Sequence, residues 1–235
     1  MNQNSEINRV RNEYHLREIR LAKDDRYSIF NISALFALQQ RERALLQLLK
    51  KHGIFSLTDK KILEVGCGSG GVLAQLINYG AASSNLVGID LLSNRLKEAK
   101  HSIGGLGLSN ADSRYLPFDQ EQFDLVLQFT AFSSILDAQI KMELASEMLR
   151  VLKPDGLIIW FDFWLNPINN QTKGIRIPEI IRLFPGCDYD FIKVILAPPI
   201  ARKLVPISWT LSCALEGVQL LNTHYLGVIR KNQGA

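Results

Sequence analysis

Lys61-Ile62-Leu63-Glu64-Val65-Gly66-Cys67-Gly68-Ser69-Gly70-Gly71 is a short apolar run, of the kind that forms a buried strand, entering a glycine-rich turn and then a helix. Glycine adopts positive φ at no steric cost and lets a ligand approach the backbone. The free N–H groups at the start of the following helix then face that ligand. Gly66, Gly68 and Gly71 satisfy the GxGxxG dinucleotide fingerprint, and an acid follows about 20 residues on. That acid is Asp90, closing Asn85-Leu86-Val87-Gly88-Ile89-Asp90. A carboxylate at the tip of a second strand accepts hydrogen bonds from ribose hydroxyls. Loop and acid together indicate an adenosine ribose and leave the cofactor open. An ordinary glycine turn beside a surface Asp is the alternative.

Outward from the loop, short apolar runs alternate with helical patterns. Strands are predicted at Lys61–Val65, Leu86–Asp90, Leu106–Asn110, Phe123–Gln128 and Leu157–Asp162, with helices at Gly70–Tyr79, Ser93–Ile103 and Ala138–Leu152. This rhythm predicts an α/β fold, a mostly parallel sheet with helices on both faces and right-handed crossovers. Two later runs, Asp190–Leu196 and Thr223–Arg230, predict an antiparallel edge. Residues 1–60 read as a helical N-terminal extension. With no repeat or linker visible, residues 1–235 are read as one domain, with 197–221 inserted between the last two strands.

Three features separate the possible cofactors. Glu64, two residues before Gly66, would repel a pyrophosphate and welcome a cationic ligand. Asp112, in Asn110-Ala111-Asp112-Ser113, can accept from an adenine amino group. The run Glu121-Gln122-Phe123-Asp124-Leu125-Val126-Leu127 ends in Gln128-Phe129, which are placed against the same ligand.

Together with Met148-Leu149-Arg150-Val151-Leu152-Lys153-Pro154-Asp155-Gly156, these segments resemble in order and spacing the motifs of class I methyltransferases, and most of all the broad ubiquinone- and menaquinone-type group. The resemblance covers about residues 55–165. It implies a Rossmann-like seven-stranded sheet of order 3-2-1-4-5-7-6, and S-adenosylmethionine as cofactor. It places Glu64, Gly66 and Gly68 by the methionine part, Asp90 by the ribose, and Asp112 and Ser113 by the adenine. Cys67 and Leu91 are included as neighbours of these contacts.

Catalytic residues are harder to read, because an in-line methyl transfer mainly requires positioning. A hydroxyl acceptor usually needs a general base as well. Asp162, in Trp160-Phe161-Asp162-Phe163-Trp164, and His224, opening the last strand, are the two candidates; a turn-capping acid and a structural histidine are the alternatives. Tyr27, Phe132, Trp164 and Trp209 are candidate acceptor contacts, with core packing as the alternative. Residues 197–221 are apolar but broken by Pro198, Pro199, Pro206 and Gly217. They are expected to form a lid over the acceptor; a homodimer contact or a core helix is the alternative.

Amino-directed nucleic-acid methyltransferases of this fold carry Asn/Asp-Pro-Pro-aromatic where this chain has Gln128-Phe129-Thr130-Ala131. The acceptor is therefore expected to be a small or medium-sized metabolite, a peptide or a glycan, not a nucleic acid. O-methylation in a bacterial specialised-metabolite or surface-glycan pathway is the leading expectation, with N- or C-methylation next. A nicotinamide oxidoreductase and a non-catalytic cofactor-binding subunit are the rivals from other classes.

The bulk composition agrees. The 235 residues are 47% apolar and 21% charged, with a net charge of +4, which argues against disorder and against a dense nucleic-acid-binding surface. Basic residues concentrate in the first quarter (Arg9, Arg11, Arg17, Arg20, Lys23, Arg26) and read as a solvated helical face. The scattered Cys67, Cys187 and Cys213 have no metal-ligand spacing and fit a reducing cytoplasm. The polar N-terminus does not read as a signal peptide. Leu204–Leu221, interrupted by Pro206 and Glu216, reads as a covered helix and not as a membrane span.

Overall fold

The computed structural model describes residues 3–21, 24–166 and 171–232. Helices α1 (Gln3–Leu21) and α2 (Ile32–Lys51) precede the α/β core. The core then runs β1 (Ile62–Val65), α3 (Gly71–Asn78), β2 (Leu86–Asp90), α4 (Ser93–Ser102), β3 (Gly107–Asn110), β4 (Phe123–Phe129), α5 (Ala138–Val151) and β5 (Leu152–Phe163). It closes with α6 (Ile177–Leu183), β6 (Cys187–Leu196), α7 (Pro198–Leu204), α8 (Trp209–Glu216) and β7 (Asn222–Lys231).

The seven strands lie in the order β3-β2-β1-β4-β5-β7-β6. β1 to β5 pair in parallel, and β7 runs antiparallel to both of its neighbours. The expected strand order and antiparallel edge are both present. β5 begins earlier than its apolar run, at Leu152, with a register irregularity against β4 between the Phe123 and Leu125 pairings. That irregularity accommodates Pro154, which cannot donate to a regular ladder.

Strand alternation sorts the core into two layers. Ile62, Leu125, Leu127 and Phe161 pack against Leu45 and Leu48 of α2 and Leu73 and Leu76 of α3. Leu63, Val65, Val126, Ile158 and Trp160 pack on the other face against Leu144 and Met148 of α5 and Ile180 and Leu183 of α6. A one-residue slip in any strand would exchange these sets.

Residues 197–221 form α7 and α8, as the internal prolines dictate, not one helix over Leu204–Leu221. They join a separate apolar cluster on Phe36 of α2 and Leu196 of β6. No helix among the described residues is long and apolar enough to cross a membrane.

Candidate functional site

The end of β1 is built for close backbone approach. Glu64 pairs in register with Gly88 on β2 and Leu127 on β4. A Cβ at Gly88 would lie 2.7 Å from Sγ of Cys67, so only glycine lets β2 carry the loop this closely. The Gly66 and Cys67 amides donate to the Ile89 carbonyl at 2.8 and 2.9 Å, which pins the turn to β2. Gly66 has φ +74°, and a Cβ there would meet that of Ala131 at 3.0 Å. Helix α3 starts after Gly70 with no side-chain cap, leaving its first amides available.

Asp90 couples the loop to the second strand. Its two carboxylate oxygens accept from the Gly68 and Leu92 amides, each at 2.8 Å. A carboxylate has lone pairs to spare beyond these two bonds, and ribose hydroxyls can use them. Asp112 accepts from the Arg114 amide, Nε and Nη2. Burial raises the Asp112 pKa, but these bonds outweigh it and hold the group below the usual carboxylate range.

Glu64 is 2% exposed, and its Oε2 has no hydrogen-bond partner among the described residues. Burial pushes its pKa well up; the Arg41 guanidinium opposes the shift and Asp90 adds to it. Arg41 reaches in from α2, with its guanidinium 5.6 Å from the ring centres of both Phe129 and Phe161.

These groups share a cavity of about 570 Å³ at the carboxyl edge of the sheet. It brings together Glu64, Gly66, Cys67, Gly68, Asp90, Leu91, Asp112, Ser113, Phe129 and Tyr27, all singled out in the sequence. Thr130 lines it as well, with φ 62°, a left-handed conformation that is strained for a β-branched residue. Its amide is held by the Phe161 carbonyl at 2.8 Å.

Helix α1 crosses the opening. Glu6 accepts from the Leu136 amide at 2.6 Å, and Arg9 Nη2 donates to the Ser134 carbonyl at 2.6 Å. Farther along, Glu18 accepts from Arg95 Nε of α4 at 2.9 Å. The basic N-terminal segment is therefore not simply a solvated face: Arg9 is bonded inward and Arg17 lines the cavity.

Six singled-out residues lie outside the cavity lining. Gln128 is fully buried; its Oε1 accepts from the Ala131 amide and its Nε2 donates to the Phe161 carbonyl, so it holds the turn after β4. Asp162 is fully buried on the α5 face and accepts from the Ser133 and Phe163 amides at 3.0 and 2.8 Å. Burial raises its pKa to about 6 against those stabilising bonds. His224 is sandwiched by Phe161 and Phe163, and burial lowers its pKa to about 3. Phe132 packs on Trp160 in the core. Trp164 donates Nε1 to the Asn222 carbonyl and lines a different recess. Trp209 meets Phe36 edge-on at 5.0 Å.

The sequence reading missed Arg41, Glu6, Tyr14 and Arg95. Arg41 did leave a signal. It falls at helical spacing between Leu38 and Leu45, on the stripe that faces the core.

The glycine cradle and the orphaned acid fit a cationic nucleoside cofactor. Sheet order, loop and strand-end carboxylates define a class I methyltransferase fold. Residues 62–156 match the family model described as a methyltransferase domain. Phthiotriol/phenolphthiotriol dimycocerosates methyltransferase 1 of Mycobacterium ulcerans is 34% identical over 125 residues, covering 48% of this chain and 40% of that one. Fatty-acid O-methyltransferase of Mycolicibacterium smegmatis is 35% identical over 105 residues, covering 44% and 37%. The chain thus spans less than half the length of these relatives. Among solved structures, Haemonchus contortus phosphoethanolamine N-methyltransferase 1 superposes with a TM-score of 0.62 at 16% identity, covering 97% of this chain and 50% of that one. The chain has the class I methyltransferase fold, and residues 62–156 within it match the methyltransferase-domain model.

Proposed function

We propose that this protein O-methylates a small or medium-sized apolar metabolite at an oxygen that is already ionised, a carboxylate above all. The observation that carries this reading is the composition of the cavity wall. Beyond the groups assigned to the cofactor it presents Phe161, Tyr14 and Tyr27, with Arg17 beside Tyr27. Its further carboxylate, Glu6, is committed to Arg9 and the Leu136 amide, and no histidine among the described residues lines it. Asp162 and His224, the two candidate bases, are buried away from it. An acceptor that needs no deprotonation suits such a site, because orientation alone then suffices.

S-adenosylmethionine, when bound, supplies an electrophilic methyl group. Asp90 is assigned to the ribose hydroxyls, Asp112 and Ser113 to the adenine, and Glu64 to the ammonium of the methionine tail. Phe129, Thr130 and Phe161 form the wall beside the reacting centre. Helix α1 shields that centre from water. Tyr27 and Arg17 stand where an anionic head group enters, next to the exposed Ile29 and Phe30, which suit an apolar tail. The fatty-acid O-methyltransferase relative supports this acceptor chemistry. A metabolite of this kind fits the wall better than a glycan does. The three cysteines are unpaired, in keeping with a reducing cytoplasm.

The test is a methyl-transfer assay with a panel of medium- and long-chain acids, the matching alcohols and the matching amines, read by mass spectrometry. Methyl esters from the acids are expected. Ethers or N-methyl products, with the acids inert, would overturn the acceptor assignment.

A further inference from the structure

Two segments remote in sequence meet at the carboxyl edge of the sheet, the edge on which the cavity opens. One is the turn from Tyr27 into the start of α2; the other is the α7–α8 connection between β6 and β7. β5 and β6 both run antiparallel to β7, so β6 is parallel to β5 and α7 leaves the sheet at that same edge. The Ser33 hydroxyl donates to the Ala201 carbonyl, and Phe36 meets Trp209 edge-on, which fastens α2 to α7 and α8. Ile32 lies one turn before Phe36 on the same side of α2, and Ile207 lies between the packed Val205 and Trp209.

Both segments turn apolar side chains to solvent. Phe30 is 96% exposed and Ile207 81%, with Ile29, Ile32 and Leu211 half exposed around them. Single exposed apolar residues are ordinary, but a group of them beside a cavity mouth marks an interaction site. Residues 28–39 carry no charge, and residues 197–215 carry only Arg202 and Lys203. Ala201 and Val205 turn inward, which leaves Arg202 and Lys203 exposed on the outer side of α7. Neither cation has an ion-pair partner among the described residues. Glu216, the nearest acid along the chain, is committed to Arg43.

We propose that this face docks the protein on an anionic lipid surface, with Phe30 and Ile207 inserted at the interface and Arg202 and Lys203 on the head groups. A fluid interface accepts single projecting side chains without a preformed socket. Lys and Arg beside them are drawn to anionic head groups. A second copy bound through the same face would bring two such cations from each copy together, with no carboxylate from these stretches to meet them. The attachment is peripheral: α7 and α8, of seven and eight residues, lie at an interface and are too short to cross it. Docking would turn the cavity mouth toward the bilayer, because Tyr27, three residues before Phe30, lines the cavity. An apolar acceptor would then enter without crossing water, a step that rests on the acceptor reading above.

The test is co-sedimentation of the full chain with vesicles of phosphatidylcholine alone, and of phosphatidylcholine and phosphatidylglycerol in equal parts. Wild type is expected on the mixed vesicles, less so at high salt, and about tenfold more weakly on the neutral ones. Phe30→Ser/Ile207→Ser should weaken binding to the mixed vesicles about tenfold. Arg202→Gln/Lys203→Gln should bring it down to the neutral level. Phe55→Ser is the control: Phe55 is 78% exposed in the connection entering β1, at the opposite edge, and its loss should change nothing. Failure of wild type to bind the mixed vesicles would overturn the docking face. So would full binding by either double variant, or an equal loss from Phe55→Ser. A wild-type dimer in sedimentation velocity that Phe30→Ser/Ile207→Ser converts to monomer would overturn it in favour of a second copy. All the substituted side chains are exposed, and melting temperatures check that each variant is folded. Vesicle binding is read without turnover, so it and the acceptor assignment fail separately.

Discussion

The hydroxyl of Tyr14 on α1 lies 2.9 Å from the Ser134 hydroxyl in the turn after β4, so one hydrogen bond ties the N-terminal helix to the sheet edge across the cavity. The Tyr14 ring is also covered by the Arg95 guanidinium, 4.7 Å away, from the other side of the opening. Tyr14 is thus a latch between two walls that the core alone does not join.

Tyr14→Phe removes the hydrogen bond and keeps the ring. It should weaken S-adenosylhomocysteine by about 0.5–1.5 kcal/mol, through faster dissociation and not slower association. Stopped-flow binding checks the rates. Amide hydrogen exchange over α1 should slow when ligand binds to wild type; no change in exchange would show that the helix does not close on the cofactor.

Asp90→Ala should do more than remove a ribose contact. The Gly68 and Leu92 amides lose their acceptor, and each lost charge-assisted bond costs about 1.5–3 kcal/mol at most. Affinity and melting temperature should therefore fall together. A variant with wild-type melting behaviour and weak binding would mean that the two amides find water without penalty.

His224→Phe should leave turnover intact, because the imidazole is enclosed by Phe161 and Phe163 and does not reach the cavity. It should also make the fold more tolerant of acid. The folded pKa of about 3 lies below the ordinary histidine value of 6.5, so the unfolded chain takes up a proton first as pH falls. The destabilisation from this residue is absent above about 6.5 and grows as pH drops toward 3. Thermal melts of both proteins between pH 4 and 7 check it. Parallel curves would mean that His224 is protonated in the folded state.

Trp209→Ala should lower stability by at most about 3–5 kcal/mol, since it opens the Phe36 contact. The acceptor's Michaelis constant should not change in protein that remains folded, because neither α7 nor α8 lines the cavity. A selective rise in that constant, with an unchanged melting temperature, would restore the lid reading of residues 197–221.

The strand order and the clustering of the loop and strand-end residues around one cavity were legible because they depend on local rules. Glycines with positive φ, and acids at strand ends, are written into short contiguous stretches such as Glu64–Gly71 and Gly88–Asp90. Asp162 and His224 misled for a different reason. Both are polar residues at the carboxyl edge, but sheet alternation turns Asp162 with Trp160 toward α5, and the neighbouring strand seals His224 between two rings. Neither orientation can be known before the register of β5 against β7 is known. The inward role of α1 was hidden as well. Its partners Ser134, Leu136 and Arg95 are remote in sequence, and a polar helix with such partners reads like one facing water.

Residues of α1 and Tyr27 line the same cavity, so on the proposed function the two ligands are expected not to exchange independently. The nucleoside end would enter before the Tyr14–Ser134 latch forms and depart after it opens, whereas the acceptor would use the gap that remains. Turnover is then expected to be compulsory-ordered, with S-adenosylhomocysteine leaving last. In steady-state kinetics it should inhibit competitively against S-adenosylmethionine and non-competitively against the acceptor.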